Sequence, residues 1–510
     1  MKPSISIKRR SLLQGIVAGS IGSALAGTVS AAETNYSESH DLVIVGSGFA
    51  GLATAYAALK AGLKDILILE KMEAFGGNSC LCGGLMSLPL SPKQKALGIT
   101  DSVELMVGDM YKAGRGFNHP SLARKFAEDA ASVCGMLDEC GVELKDKVIR
   151  LGGHSTPRAL VPASASGGGI VVPIHNWLKS RGVQFRNRTQ VTELIVTDGK
   201  VRGVRVNEGY DWQTGKSSRT KTIGTKGAVV VCTGGWGQDN SFVKTTMPAY
   251  ALLECTSQPG ATAEMLRALL KAGALPTMLD MYQLGPWASP DEKGAGPASF
   301  FADYAFAEGI SINPKTGNRY MNELADRRTR AEAQLKVLTQ SDADKINYPI
   351  VFCSEKTTEH AEGFKAAYRD GCVFRHSTTE DLAKAYDIPL DALKKQISEY
   401  NEIVAGKKQD PFEKPLDVKQ KLEAPFYSMR LTPKLHYCMG GVAITPKAEV
   451  ISYETLKPIS GLYAAGEITG GVHGMDRLGG CSSVDCMVFG LEAGRNAAAL
   501  VETRNVGTQK

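Results

Sequence analysis

The stretch "DLVIV" at residues 41–45 is an unbroken apolar run bounded by glycine, the pattern of a strand buried on both faces of a parallel sheet. "GSGFAGLATAYAALKAG" follows with its alanines on one face and predicts a helix, and "DILILEK" returns to a second buried strand. Residues 184–206 alternate apolar and polar positions about Asp198-Gly199, which predicts a β-meander. "GAVVVCTGGWG", residues 227–237, predicts another buried strand, running into a turn at Thr233, Gly234 and Gly235. From 281 to 436 the texture changes. Glycine thins out, aromatics cluster in "PWASPDEKGAGPASFFADYAF", and "PLDALKKQISEYNEIVAG" predicts an amphipathic helix with Leu390, Leu393, Ile397 and Tyr400 on one side. "GGVAITP" and "GLYAAGEITGG" then return to the earlier style of strand and glycine.

The first three elements have the order of a βαβ unit, and Gly46, Gly48 and Gly51 give its turn the spacing G-x-G-x-x-G. Glu70 closes the second strand 19 residues after Gly51. At such a turn the helix start at Gly48 to Ala50 offers free amides and a positive dipole end to a pyrophosphate. An acid at the position of Glu70 accepts from a ribose diol and disfavours an extra 2′-phosphate. The expected fold class is α/β: a discontinuous, Rossmann-like dinucleotide-binding domain over 36–280 and 437–510, with an α+β capping domain inserted at 281–436. A chain of 510 residues is too long for one ordinary core, which agrees with at least two lobes.

Composition adds few constraints. The chain is 43% hydrophobic and 22% charged, as a soluble enzyme is, and its 55 glycines suggest many tight turns around a ligand. A net charge of +6 is mild and the basic residues are scattered, which argues against a nucleic-acid partner. Arg9 and Arg10 precede a weakly apolar stretch, and "VSA" ends at Ala31 with small residues that suit a peptidase. Residues 1–31 therefore read as a twin-arginine export signal and the protein as periplasmic. Residues 15–31 are too short and too rich in Gly and Ser to cross a bilayer well, and no transmembrane segment is expected in the mature chain. The eleven cysteines include no C-x-x-C-H, so no c-type haem is attached, and no spacing supports a metal site.

Five segments in order, "VIVGSGFAGLATAYAA", "LEKMEAFGGNS", "VVVCTGGWG", "MGGVAI" and "GLYAAGEITGGVHGMDRLGG", resemble the flavin subunit of the soluble fumarate reductase and flavocytochrome c family, which includes urocanate- and acrylate-type reductases. The resemblance spans nearly the whole chain beyond residue 31. It implies FAD held non-covalently, a mobile cap, and two-electron reduction of a C=C bond next to a carboxylate. By resemblance, Gly46, Gly48, Ala50, Gly51, Glu70 and Lys71 meet the cofactor first. Gly76, Gly77, Asn78, Thr233, Gly234 and Gly235 follow, and Gly466, Glu467, Ser482 and Ser483 complete its site. Arg477, alone among the glycines of "GGVHGMDRLGG", would clamp the substrate carboxylate with its planar fork. His473, Gly474 and Gly480 of the same loop are expected beside the substrate. Aligned on Asn322-Glu323, Arg327 falls where the family delivers a proton, with Arg328 and Arg330 raising the local positive potential. Hydride would come from N5 of reduced FAD, with His436 and Tyr437 helping to polarise the carboxylate.

The chain departs from the family's fumarate reducers at two histidines. Gly285 stands in "YQLGP" where they carry histidine before proline, and Tyr437 stands where they carry histidine before "TMGG", with His436 one place earlier. A Glu-x-x-Arg relay is absent from "SFFADYAFAEG", where Asp303 is a candidate replacement. Glycine at 285 opens volume and removes a donor, so the expected substrate is an enoate bulkier than fumarate, an aryl- or heteroaryl-acrylate, with Phe300, Phe301, Tyr304 and Phe306 as candidate pocket walls. With neither haem nor a second nucleotide motif, electrons are expected from a separate cytochrome c, making the protein a terminal reductase of anaerobic respiration. Two alternatives remain open: a ketosteroid dehydrogenase-like flavoprotein, faintly favoured by Tyr437, and a non-catalytic electron-transfer flavoprotein.

Overall fold

The computed structural model describes residues 35–507, apart from 295 and 417. The expected export signal at 1–31 lies outside the described residues. Strand Glu38–Val45 is central in the main sheet, with Ile66–Leu69 parallel on one side and Arg219–Val231 parallel on the other. Gln184–Arg186 continues the sheet in parallel beyond Ile66–Leu69, and Pro458–Ala464 lies parallel to Arg219–Val231. Leu42, Val43 and Ile44 are wholly buried, which explains why this strand reads as continuous rather than alternating. The meander is present as the antiparallel pair Thr189–Thr197 and Lys200–Glu208. Asp198 and Gly199 join its strands with φ of 52° and 68°, the left-handed pair that a two-residue hairpin requires.

Helix Phe49–Lys60 packs against helix Cys481–Gly507 at backbone range. A Cβ on Gly490 would stand 2.5 Å from the Ala50 carbonyl oxygen, and one on Gly494 would stand 2.3 Å from that of Thr54. The close approach brings the last helix over the βαβ turn, where its first residues reach the cofactor cleft. Gly51 serves packing too: a Cβ there would lie 2.0 Å from the Gly46 oxygen.

A second, antiparallel sheet has Ile350–Ser354 between Ile310–Asn313 and Phe426–Arg430, with short edge strands Asn318–Arg319 and Phe374–His376. It carries two apolar cores of its own. One holds Phe301, Phe306 and Met429, and the other holds Ile312, Phe352, Leu393 and Tyr400. Leu393 and Tyr400 come from helix Leu390–Val404, whose apolar stripe faces inward as its periodicity predicts. Phe301 and Phe306 are therefore core residues, while Phe300 packs across Gly83 and Tyr304 against His360. None of the four lines the cofactor cleft. Where the two sheets meet, Tyr282–Gly285 pairs antiparallel with Lys434–Cys438 and sets Gln283 opposite Tyr437. The Tyr282 hydroxyl accepts from Trp236 Nε1 at 3.0 Å, which fixes this strand to the main core. Among the described residues no helix is long and apolar enough to cross a membrane.

Alanine should act with opposite sign at two helical glycines. Gly108 in helix Val103–Ala113 is exposed with open space around its Cβ position, so Gly108→Ala should stabilise by about 1 kcal/mol. Gly494→Ala gains the same propensity but overpacks the helix contact, at a cost of about 1–3 kcal/mol. Thermal melts should show the first variant level with or above the parent and the second below it.

Candidate active site

The turn after Glu38–Val45 opens one wall of a long cleft lined by Gly46, Gly48, Ala50, Glu70 and Lys71. Gly46 has φ 105°, and a Cβ there would lie 2.3 Å from the Cys232 oxygen, so only glycine fits. Ser47 Oγ donates to Glu70 Oε2 at 2.6 Å and accepts from the Gly76 amide at 2.9 Å, while the Met72 amide donates to Glu70 Oε1 at 2.9 Å. These bonds fix Glu70 as an acceptor at the end of its strand. Helix Phe49–Lys60 starts at Gly48, which has no side chain to cap it, and has no acid in its first turn; the Phe49 amide donates to Ser79 Oγ at 3.0 Å, and the dipole's positive end faces the cleft wall.

Gly76, Gly77, Asn78, Thr233, Gly234, Gly466, Glu467, Ser482 and Ser483 line the same cleft. Thr233 Oγ1 is buried there without a hydrogen-bond partner among the described residues, so the cleft offers a polar group for a ligand to satisfy. Together with the glycine cradle, this fits FAD. Glu467 accepts from the Cys438 amide at 2.9 Å, and burial raises its carboxyl to about 7. Gly235 stands behind it and Gly51 behind the helix, and neither faces the cleft. Gln190, Thr256, Gln258 and Thr262 do line it, with no motif to announce them.

At the inner end stand Arg477, Tyr437 and His436. Arg477 is 3% exposed and lies 4.4 Å over the Tyr437 ring. Its Nη2 donates to Gln283 Oε1 at 2.9 Å, and its Nε has no partner among the described residues. Arg327 reaches the same amide oxygen from the other sheet's side, with Nη1 2.9 Å from Gln283 Oε1. It opens helix Arg327–Leu338, whose N-cap Asp326 accepts from the Thr329 amide. Burial first, and then the like charge of Arg477, lower its guanidinium to about 9. Two cations thus share one neutral acceptor. His436 joins Thr256 Oγ1 through Nδ1 at 2.8 Å and is held neutral, its pKa well below the usual value through burial and the two arginines. Burial raises the Tyr437 phenol. Asp303 is raised by burial as well, and no hydrogen bond or ion pair among the described residues ties it to Arg327.

The structure corrects two readings of the sequence. The loop glycines mostly seat the loop rather than clear space for substrate. A Cβ on Gly474 would stand 2.6 Å from the Gly114 oxygen, and one on Gly480 would stand 2.5 Å from Ser87 Oγ. His473 is buried behind the site, 3.5 Å from Asp485, and neither it nor these two glycines lines the cleft. A Cβ on Gly479 would stand 3.0 Å from Leu151 Cδ1 and 3.6 Å from Arg327 Nη2. Behind the loop, Arg158 is wholly buried, forks onto Asp101 at 2.8 and 2.9 Å, and donates to His154 Nδ1 at 3.2 Å; His154 Nε2 donates to the Gly479 carbonyl at 2.9 Å. Burial lowers His154 to about 4, so it is a neutral brace.

The second correction concerns Gly285. A Cβ there would meet Trp287 at 3.5 Å and the His436 Cβ at 3.6 Å. Trp287 lies 4.4 Å from the Arg327 guanidinium and edge-on to His436 at 5.0 Å. The expected aryl-sized room at Gly285 is therefore taken by the indole. Gln283 and Trp287 were missed because an amide and an indole between strands carry no motif.

The FAD binding domain family matches residues 41–483. The acrylate reductase flavoprotein subunit of Shewanella woodyi (strain ATCC 51908 / MS32) is 40% identical over 496 residues, 96% of this chain and 97% of that protein. A fumarate reductase (cytochrome) of Shewanella frigidimarina is 32% identical over 90% of this chain and 77% of its own length. Among solved structures, the open conformation of a flavocytochrome c3 fumarate reductase superposes with a TM-score of 0.74 at 30% identity, covering 91% of this chain and 79% of that one. Likeness of this extent, in sequence and in fold, shows that the chain belongs to the flavocytochrome fumarate reductase-like family and is an FAD-dependent oxidoreductase of C=C bonds in enoates.

Proposed function

We propose that the protein reduces the C=C bond of a short, unsubstituted or lightly substituted α,β-unsaturated monocarboxylate of the acrylate type. The observation that carries this reading is the pair of guanidinium groups on one amide oxygen, crowded on one side by an indole. Arg477 takes the carboxylate: it lines the cleft, and its Nε has no partner among the described residues, while Nη1 donates to the Leu478 carbonyl at 3.1 Å and Nη2 to Gln283. Reduced FAD, when bound, supplies the hydride, which carries both electrons to the β-carbon. Arg327 then gives a proton from its guanidinium to the α-carbon, so that the product is the saturated acid. An ordinary arginine is a poor acid, but burial and the neighbouring cation weaken this one's hold on its proton. Charge that develops on the carboxylate meets cations already in place.

Trp287 favours a small substrate over the aryl-acrylate that glycine at 285 suggested, and the acrylate reductase relative supports the same choice. A ketosteroid would leave two buried cations with no anion to receive, so the site chemistry speaks against that alternative. Export through the twin-arginine pathway, a periplasmic location and a terminal role in anaerobic respiration rest on Arg9 and Arg10 and on the family. A separate c-type cytochrome as donor rests on the haem-free sequence and the cytochrome-linked relatives.

Anaerobic turnover with a reduced viologen across acrylate, methacrylate, fumarate, urocanate and cinnamate should rank acrylate first; cinnamate or urocanate first would overturn the small-substrate reading. Arg327→Ala should lower kcat by about 10²–10⁴-fold with flavin content unchanged, and full acrylate turnover in that variant would overturn Arg327 as the proton donor. Because the protonated guanidinium is the donor, kcat should be lost as pH rises through about 9 in the parent enzyme. Trp287→Ala should raise kcat/KM for cinnamate relative to acrylate by roughly 10-fold or more, read as a ratio within one preparation.

A further inference from the structure

Gln283 Oε1 faces both guanidinium groups, and the two ends of an amide differ only in what surrounds them. Its orientation is set from the other side. Gln283 Nε2 donates to the Arg477 carbonyl at 2.8 Å and to Asp476 Oδ1. The second oxygen of Asp476 accepts the Arg328 amide at 3.1 Å, in the first turn of the helix that Arg327 opens. One carboxylate, adjacent in the chain to Arg477, thereby grips both the amide between the arginines and the helix that carries one of them. Asp476 is 1% exposed and does not line the cleft.

We propose that Asp476 is a positioning residue that sets Arg327 against Arg477, acting through the Gln283 amide and the first turn of the Arg327 helix. The proposal rests on the reading of Arg327 as proton donor. A carboxylate suits the task because it accepts from two donors without offering a hydrogen of its own. Asparagine has the same shape but one acceptor oxygen, so its NH₂ would face either the Gln283 NH₂ or the Arg328 amide. The charge matters as well. Arg327 is faced by Arg477, His436 and His154 from the main sheet's side, by Asp303 from helix Pro297–Glu308, and by Asp326 and Arg330 from its own segment. Asp476 and Asp303 are the negative groups that oppose proton loss from Arg327, and only Asp476 is also bonded to its helix. Without that charge the guanidinium releases its proton at lower pH.

The test is Asp476→Asn in the FAD-loaded enzyme, with Asp476→Ser as a second variant and Arg327→Ala alongside, each checked for flavin content and melting temperature. Expected for Asp476→Asn is a kcat about 10–100-fold lower at pH 7 with KM for acrylate within about threefold, since Arg477 still holds the carboxylate. The falling alkaline limb of kcat should move to lower pH by about one unit, and Asp476→Ser should move it the same way. An unmoved limb in a folded, flavin-loaded variant, whether or not kcat falls, overturns the positioning role. If Arg327→Ala keeps full turnover, the proton-donor reading fails and this inference falls with it; an inactive Arg327→Ala with an unmoved limb in Asp476→Asn overturns the inference alone.

Discussion

Two like charges in a water-poor cleft repel, and each is costly to bury. The site depends on how that repulsion is managed. Arg327 and Arg477 meet at a neutral amide, Gln283, rather than at a carboxylate. A carboxylate between them would cancel half of their charge, compete with an anionic substrate for the forks, and hold the Arg327 proton firmly. The amide dipole supplies orientation without cancelling charge. The compensating carboxylate, Asp476, sits one step back, bonded to the far end of the same amide. The cations are therefore oriented while their field remains directed at the space a substrate occupies.

That arrangement needs a stiff support. The Arg477 loop is tied by the Ser87 amide to the Gly480 carbonyl, by the Met475 amide to the Gly114 carbonyl and by Asn118 to the Val472 carbonyl. Arg158 and His154 brace it from behind. On the other side, the strand bearing Gln283 is anchored through Tyr282 to Trp236. Every tie is a hydrogen bond in a buried setting, where a lost partner costs about 1–3 kcal/mol. Displacement of the Arg477 loop thus requires breaking several such bonds at once.

Much of this was legible in the sequence, and what was legible had a local cause. The parallel strands, the hairpin at Asp198-Gly199 and the glycine turn follow from periodicity and from conformations that only certain residues adopt. Arg477 stood out by resemblance inside one of the five motifs, and Arg327 by alignment on Asn322-Glu323. The loop glycines misled: a run of glycine signals close approach, but not of what, and here the approaching group is usually the protein's own backbone. Gly285 misled for a related reason. A missing side chain creates room only if no neighbour fills it, and Trp287, two residues on, does. Gln283, Asp476 and His154 act through partners remote in sequence, and pairings of that kind have no signature in a single chain.

The pairing of helix Cys481–Gly507 with Phe49–Lys60, and of strand Pro458–Ala464 with Arg219–Val231, has a bearing on how the chain folds. Glu467, Arg477, Ser482 and Ser483 share the cleft with the Gly46–Gly48 turn although they stand far from it in sequence, so both walls of the flavin groove exist only after these remote segments have paired. Flavin capture is thereby tied to long-range closure: a polypeptide in which that pairing has not formed lacks one side of the binding groove.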